Sequence, residues 1–265
     1  MVIFARVDVN LELAGKTALV SGSYRGTGLI IAKRLAEEGV RVLVHGLQAG
    51  QAEAAIEEIG TGEPVTGDIT TDDGAAALVD ACPRPVDVLI NNYGTADAGS
   101  WDESDADAWL DSYQKNVLSA QRLIRRLLPE MRTLGWGRII NLGTTGSTRP
   151  NSRMPQYYAA KGALATMTIS LAKETAGTGI GVNLVSPGLI LTPEVQAAYL
   201  ERGVKKGWGK TWKEIEPHVA KDIPLGRIVR REEVADLIAF LASPLANGIH
   251  GQNIRVDGGA LGILT

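Results

Sequence analysis

Between residues 17 and 256, short apolar runs alternate with segments whose apolar positions recur every three or four residues. The runs are Thr17–Ser21, Arg41–His45, Pro64–Gly67, Val86–Asn91, Gly137–Leu142, Gly181–Ser186 and Asn253–Val256. Several are nearly unbroken in Val, Ile and Leu, the pattern of parallel strands covered on both faces. Leu29, Ala32, Leu35 and Ala36 form one helical stripe, closed by Gly39. Trp109, Tyr113, Ala120, Leu123, Leu127 and Met131 mark a longer helix, with Ser104 and Asp107 as its capping pair and Pro129 kinking or shortening its end. This alternation predicts right-handed crossovers and a single α/β domain: a doubly wound parallel sheet of about seven strands with helices on both faces.

One segment breaks the rhythm. From Thr192 to Pro224, about thirty residues carry no convincing strand, and excursions of that length inside a compact domain are usually lids or disordered. Trp208 and Trp212 argue against disorder, so residues 193–223 are expected to form two short helices covering the mouth of a site. At the other end, residues 1–14 read as a leader lying on the domain formed by residues 15–265.

Composition narrows the function classes. A net charge of −3 argues against a nucleic-acid-binding surface spread over the whole protein. Cys82 is the only cysteine, and His45, His218 and His250 are scattered, so no metal-ligand spacing exists and no metal is expected. The N-terminus lacks the basic start and apolar run of a secretory signal, and no stretch is long enough to span a bilayer. Such a chain reads as cytoplasmic.

Candidate chemistry lies in two places. Tyr157 and Lys161 stand at i and i+4, so they share one helix face, and a hydroxyl at Thr144 precedes Tyr157 by thirteen residues. A phenol ionises near a pKa of about 10, and a fixed positive charge beside it favours the phenolate. Upstream, Ser21-Gly22-Ser23-Tyr24-Arg25-Gly26-Thr27-Gly28 follows the first strand and opens the first helix. Glycines there allow a tight turn, and the helix N-terminus offers free amides to a diphosphate.

The Gly-x-x-x-Gly-x-Gly spacing resembles the classical short-chain dehydrogenase/reductase family, particularly its 3-oxoacyl-acyl-carrier-protein reductase-like members. The likeness continues in order through Asn91-Asn92-Tyr93-Gly94, Asn116, Gly137–Asn141, Tyr157 with Lys161, Pro187–Thr192, Pro224–Arg227 and Val256–Gly259. It implies a Rossmann fold in which a nicotinamide coenzyme exchanges hydride with a carbonyl or secondary alcohol. By this resemblance Tyr157 is the acid/base, and Lys161 lowers its pKa and holds the nicotinamide ribose. Thr144 donates to the substrate oxygen, and Asn116 anchors a water leading from Lys161. The coenzyme contacts it implies are Gly22 to Gly28, Gly46 and Leu47 after the second strand, Asp68 and Ile69 after the third, and Asn92, Tyr93 and Gly94 after the fourth. Pro187, Gly188, Ile190 and Thr192 complete them. Plainer readings stand beside these: Asp68 as a turn cap, Asn116 bonded to a nearby carbonyl, Ile190 as core, Thr192 as an N-cap.

Three departures matter. Threonine occupies the usual serine position at 144, Tyr93 replaces a small residue beside the cleft and must turn outward or crowd it, and Thr27 replaces a larger aliphatic. His45-Gly46-Leu47-Gln48 has no acid to bind an NAD ribose, while Arg25 sits where relatives grip a 2′-phosphate, so NADP(H) is favoured over NAD(H). Arg202, Lys205, Lys206, Lys210 and Lys213 form a cationic stretch, read as a solvated face with an anionic acyl carrier as the alternative. The leading reading is an NADP(H)-dependent carbonyl reductase or alcohol dehydrogenase, against a coenzyme-binding regulator or scaffold without turnover. The resemblance also implies a homotetramer, with a dimer next.

Overall fold

The computed structural model describes residues 9–263. In chain order the elements are β1 (Thr17–Val20), α1 (Gly26–Glu37), β2 (Arg41–Gly46), α2 (Gln51–Ile59), β3 (Glu63–Thr66), α3 (Asp72–Ala81) and β4 (Val88–Asn91). There follow α4 (Ala106–Tyr113), a π turn (Gln114–Leu118), α5 (Ser119–Leu134), β5 (Gly137–Leu142), α6 (Pro155–Glu174) and β6 (Ile180–Pro187). The chain continues through β7 (Ile190–Leu191), α7 (Pro193–Lys205), α8 (Trp212–Val219), β8 (Val229–Arg230), α9 (Arg231–Ala242) and β9 (Asn253–Val256).

Seven strands form one sheet in the order β3-β2-β1-β4-β5-β6-β9. All its pairings are parallel. They are the strands that the apolar runs predict; the inner strands β1, β4 and β5 are buried throughout because helices cover both faces, while edge strands β3 and β9 are largely not. On one face α1, α2 and α9 contribute Leu35, Ala55 and Ile238 to the core; on the other, α3 and α5 contribute Leu78 and Leu127. The order reverses between β1 and β4, so the loops leaving their carboxyl ends diverge and leave a crevice.

Four local features differ from the sequence pattern. Asp105, not Ser104, caps α4 by accepting from the N–H of Ala108; the Ser104 hydroxyl faces Gln156 instead. The long helix predicted from Trp109 to Met131 is divided by the π turn, with Asn116 inside it. Pro129 does not end α5, which continues to Leu134. Residues 193–223 do form two helices, α7 and α8, packed together where Gly203 lies against Ile215. Of the expected leader, residues 1–8 lie outside the described residues, and Leu11 and Leu13 are buried in the α1 side of the core.

Candidate active site

The crevice at the switch point is a cavity of about 380 Å³. Its floor is the glycine-rich turn, where Gly22 and Gly26 adopt φ of +65° and +63°. A Cβ on Gly28 would lie 2.4 Å from Asn92 Nδ2 and 2.6 Å from the Gly22 carbonyl, so only glycine lets α1 approach this closely. Asn92 ties the turn down by donating to the carbonyls of Ser21 and Gly22 at 2.9 and 3.2 Å. No acidic side chain occupies the first turn of α1, so its amides and partial positive charge stand free for an anion.

Around this floor, Gly22, Tyr24, Arg25, Gly26, Thr27, Gly28 and Leu47 line one end. Asn92, Tyr93 and Gly94 form a side wall, and Pro187, Gly188 and Ile190 close the far side. Thr144, Tyr157 and Lys161 meet in the same cavity. Thr95, Leu142 and Gly143 line it as well; sequence reasoning missed them because they lie at or beyond strand ends without a distinctive side chain.

Other expected residues stand elsewhere. Ser23 is fully buried, donating to the Val20 carbonyl and accepting from the N–H of His45. Ile69 is fully buried core, and Asp68 caps its own turn by accepting from the N–H and hydroxyl of Thr70. Gly46 lies against Gln51, whose side-chain oxygen accepts from the N–H groups of Leu47 and Gln48. Thr192 caps α7 by accepting from the N–H of Val195. None of these five residues lines the cavity, nor does any residue of α7 or α8. The lysines at its outer end are exposed, Lys205 paired with Glu201 and Lys206 over the Trp208 ring.

Tyr93 forms part of the wall. Its ring turns against Gly22, where an added Cβ would lie 3.3 Å from ring Cδ2 and 3.2 Å from Tyr93 Cα and Cβ, and burial first, then Asp68, raises its pKa. Tyr158, by contrast, faces away: its ring covers Gly146 and its hydroxyl accepts from Asn151.

At the reactive end, Lys161 is buried and donates to the Leu142 carbonyl at 2.8 Å, leaving two donors unused. Its Nζ lies 6.0 Å from the Tyr157 ring centre. Burial pushes Lys161 down to about 8 and Tyr157 up to about 12, with the Thr144 hydroxyl pulling Tyr157 the other way. In this arrangement burial sets the direction for Tyr157, while the Lys161 ammonium is turned to the Leu142 carbonyl. Asn116 donates to the carbonyls of Thr95 and Ser112, while its buried Oδ1 has no partner. Both that oxygen and Lys161 Nζ face Gly94, at 2.4 and 3.2 Å from where its Cβ would be. An orphan acceptor beside an ammonium with spare donors is fit to hold a bridging water or ribose hydroxyls.

Among the described residues there is no cluster of potential metal ligands, and no helix is long and apolar enough to cross a membrane.

Residues 22–260 match the family model described as enoyl-(acyl carrier protein) reductase. The chain is 34% identical to YvaG, an oxidoreductase of Bacillus subtilis, over 95% of this chain and 98% of that one. It is 32% identical to the 3-oxoacyl-(acyl-carrier-protein) reductase FabG of Vibrio cholerae, over 94% and 98% of the two chains. The structure of L-sorbose reductase from Gluconobacter frateurii, complexed with NADPH and L-sorbose, superposes with a TM-score of 0.88 at 32% identity, over 97% of this chain and 100% of that one. A glycine turn on a parallel sheet, a Tyr–Lys pair in its crevice and these likenesses over nearly the whole length lead to one conclusion: the chain is an oxidoreductase of the short-chain dehydrogenase/reductase family.

Proposed function

We propose that the protein transfers hydride between NADP(H) and a carbonyl or secondary alcohol, with Tyr157 as the acid/base. The observation that carries this reading is the meeting of Thr144, Tyr157 and Lys161 in the cavity floored by the free α1 amides. When bound, the coenzyme supplies or accepts the hydride. Gly26, Thr27 and Gly28 would hold its diphosphate, Lys161 its nicotinamide ribose, and Ile190 its carboxamide end.

Tyr157 is protonated throughout the neutral range, so it is ready to donate to a carbonyl oxygen as negative charge develops there. Thr144 adds a second donor to that oxygen. Its own hydroxyl accepts from the N–H of Gly146 at 3.2 Å, so its proton is left for the Tyr157 oxygen, whose pKa it lowers, and for a substrate oxygen placed beside that phenol. In the oxidative direction Tyr157 must act as a base. That requires Lys161 to leave the Leu142 carbonyl or be joined by further positive charge.

NADP(H) is favoured because no acid stands in the four residues that follow β2: Gln51 supplies the acceptor to the Leu47 and Gln48 amides, and Arg25 lines the cavity. The solved relative bound to NADPH supports the same choice. We further read a cytoplasmic homotetramer, with a dimer next, joined through the helices that carry Asn116 and Tyr157; exposed Leu110 and Ile169 on them would then be covered.

The test is a ketone, sugar and acyl-thioester panel assayed with NADPH and with NADH. Wild type should oxidise NADPH with at least one carbonyl, and Tyr157→Phe should lose turnover by at least a hundredfold while retaining NADPH affinity. NADPH binding without turnover across the panel would replace the enzyme reading with that of a coenzyme-binding module.

A further inference from the structure

Tyr157 and Tyr158 are successive residues of α6, so their side chains leave the helix about 100° apart. Their ring centres stand 5.5 Å apart with the planes tilted by 55°. Tyr157 lines the catalytic cavity, while Tyr158 lies against the short turn that follows Thr144. Thr144 is the N-cap of that turn, Thr145–Ser147. Its hydroxyl accepts from the N–H of Gly146 at 3.2 Å, and its carbonyl accepts from the N–H and the hydroxyl of Ser147 at 3.1 and 2.8 Å.

The fit between Tyr158 and Gly146 is close. A Cβ on Gly146 would lie 2.1 Å from Cε1 of the Tyr158 ring, 2.7 Å from Cδ1 and 3.1 Å from Cζ. The backbone of Gly146 is outside the left-handed region, so the ring, and not the dihedral angles, demands glycine there. The same ring borders a groove of about 440 Å³ lined also by Trp101, Trp109, Pro150 and Gly162, so packing alone does not confine it. Its hydroxyl supplies the tether, accepting from Asn151 Nδ2 at 3.0 Å. Asn151 is in turn held by accepting from the N–H of Arg153 at 2.8 Å.

We propose that Tyr158 is a positioning residue for the reaction: by pressing on Gly146 it holds the N–H that orients the Thr144 hydroxyl. One helical turn then sets both donors to the substrate oxygen, Tyr157 directly and Thr144 through its neighbour. This rests on the role given to Thr144 above. Tyr158 does not line the catalytic cavity itself, so it acts through other residues. The route through Thr144 and a route through the adjoining Tyr157 separate in a double-mutant cycle.

The test uses the carbonyl that wild type reduces fastest, with kcat and KM at saturating NADPH, the NADPH dissociation constant by fluorescence, and the thermal midpoint. Tyr158→Ala should lower kcat about tenfold and leave the NADPH constant unchanged. Tyr158→Phe, which loses only the tether to Asn151, should lower kcat about threefold. In a Thr144→Ala background neither change should cost anything further, because the donor that Tyr158 orients is gone. Gly146→Ala should lower kcat and the thermal midpoint in wild type but neither in Tyr158→Ala, whose truncation removes the three nearest atoms the new Cβ would meet. Wild-type kcat in Tyr158→Ala, or its full loss repeated on top of Thr144→Ala, would overturn the assignment. If Tyr158→Ala or Gly146→Ala fails to fold, Tyr158→Phe decides: an undiminished loss in the Thr144→Ala background overturns it. Wild type that binds NADPH but reduces no carbonyl would instead remove the catalytic reading, and this inference with it.

Discussion

The backbone N–H of Gly22 donates to Nδ1 of His45 at 2.9 Å, so the end of β2 braces the turn on which a diphosphate would rest. Nε2 of the same ring lies 2.9 Å from the Gly67 carbonyl and must donate to it. Only the neutral tautomer with its proton on Nε2 satisfies both bonds. The ring is fully buried and its pKa lowered to about 4, first by desolvation.

Acid should therefore weaken the fold through this residue. The unfolded chain takes up a proton below about pH 6.5 and the folded chain only near 4, so stability falls as pH drops across that window. The loss approaches about 3 kcal/mol at the lower end. Urea unfolding of wild type and His45→Gln at pH 7, 5.5 and 4.5 should show a steeper pH slope in wild type. Parallel slopes would refute the assignment.

Gly22 and Gly26 share a left-handed backbone but not their surroundings. Gly26→Ala meets no atom within 4 Å and should cost only the conformational penalty, about 1 kcal/mol. Gly22→Ala also presses on Tyr93 at 3.2 Å and should cost more. In a double-mutant cycle, Tyr93→Ala should recover only the share due to ring Cδ2 at 3.3 Å, since Cα and Cβ at 3.2 Å remain. Additive effects would mean that the ring does not confine the turn.

For reduction, the alkaline limb of kcat/KM should follow Lys161 rather than Tyr157. Below about pH 8 the buried ammonium is charged and Tyr157, at about 12, keeps its proton; above 8 the ammonium is lost first. Initial rates of NADPH consumption from pH 6 to 10.5 should show a midpoint near 8. A midpoint at 10 or above would assign the limb elsewhere.

A buried polar chain joins the sheet to the helix that bears Tyr157. Asn91 Nδ2 donates to Asn141 Oδ1, and Asn141 Nδ2 to Thr168 Oγ1, each at 2.8 Å. Thr168→Val keeps the shape but orphans the Asn141 amide, so thermal or urea unfolding should register a loss of about 1–3 kcal/mol. No change in stability would imply that the amide finds another acceptor.

The sheet was readable because its strands carry runs of Val, Ile and Leu between helix stripes, as in Val88–Ile90 and Ile139–Ile140. The glycine turn and the Tyr157–Lys161 pair were readable for a similar reason: each depends on residues close in sequence. What escaped depends on distant residues. The reach of Arg231 to Gly26 spans 205 positions, and nothing local announces it. The upward shift of Tyr157 follows from burial, which spacing does not encode. Asp105 competed with Ser104 for one cap, and Ser104 turned to Gln156 on another helix.

The π turn at Gln114–Leu118 acts as a phase shift between α4 and α5. A wide turn inserts one residue, advancing everything downstream by about 100° around the axis. Asn116 sits inside the insertion, its amide held by Thr95 and Ser112 and its oxygen aimed at Gly94. Removing a single residue there would restore regular winding, yet it would also rotate either the asparagine away from Lys161 or the Leu123–Leu127 stripe out of the core. The irregularity lets one continuous rod serve two incompatible angular demands.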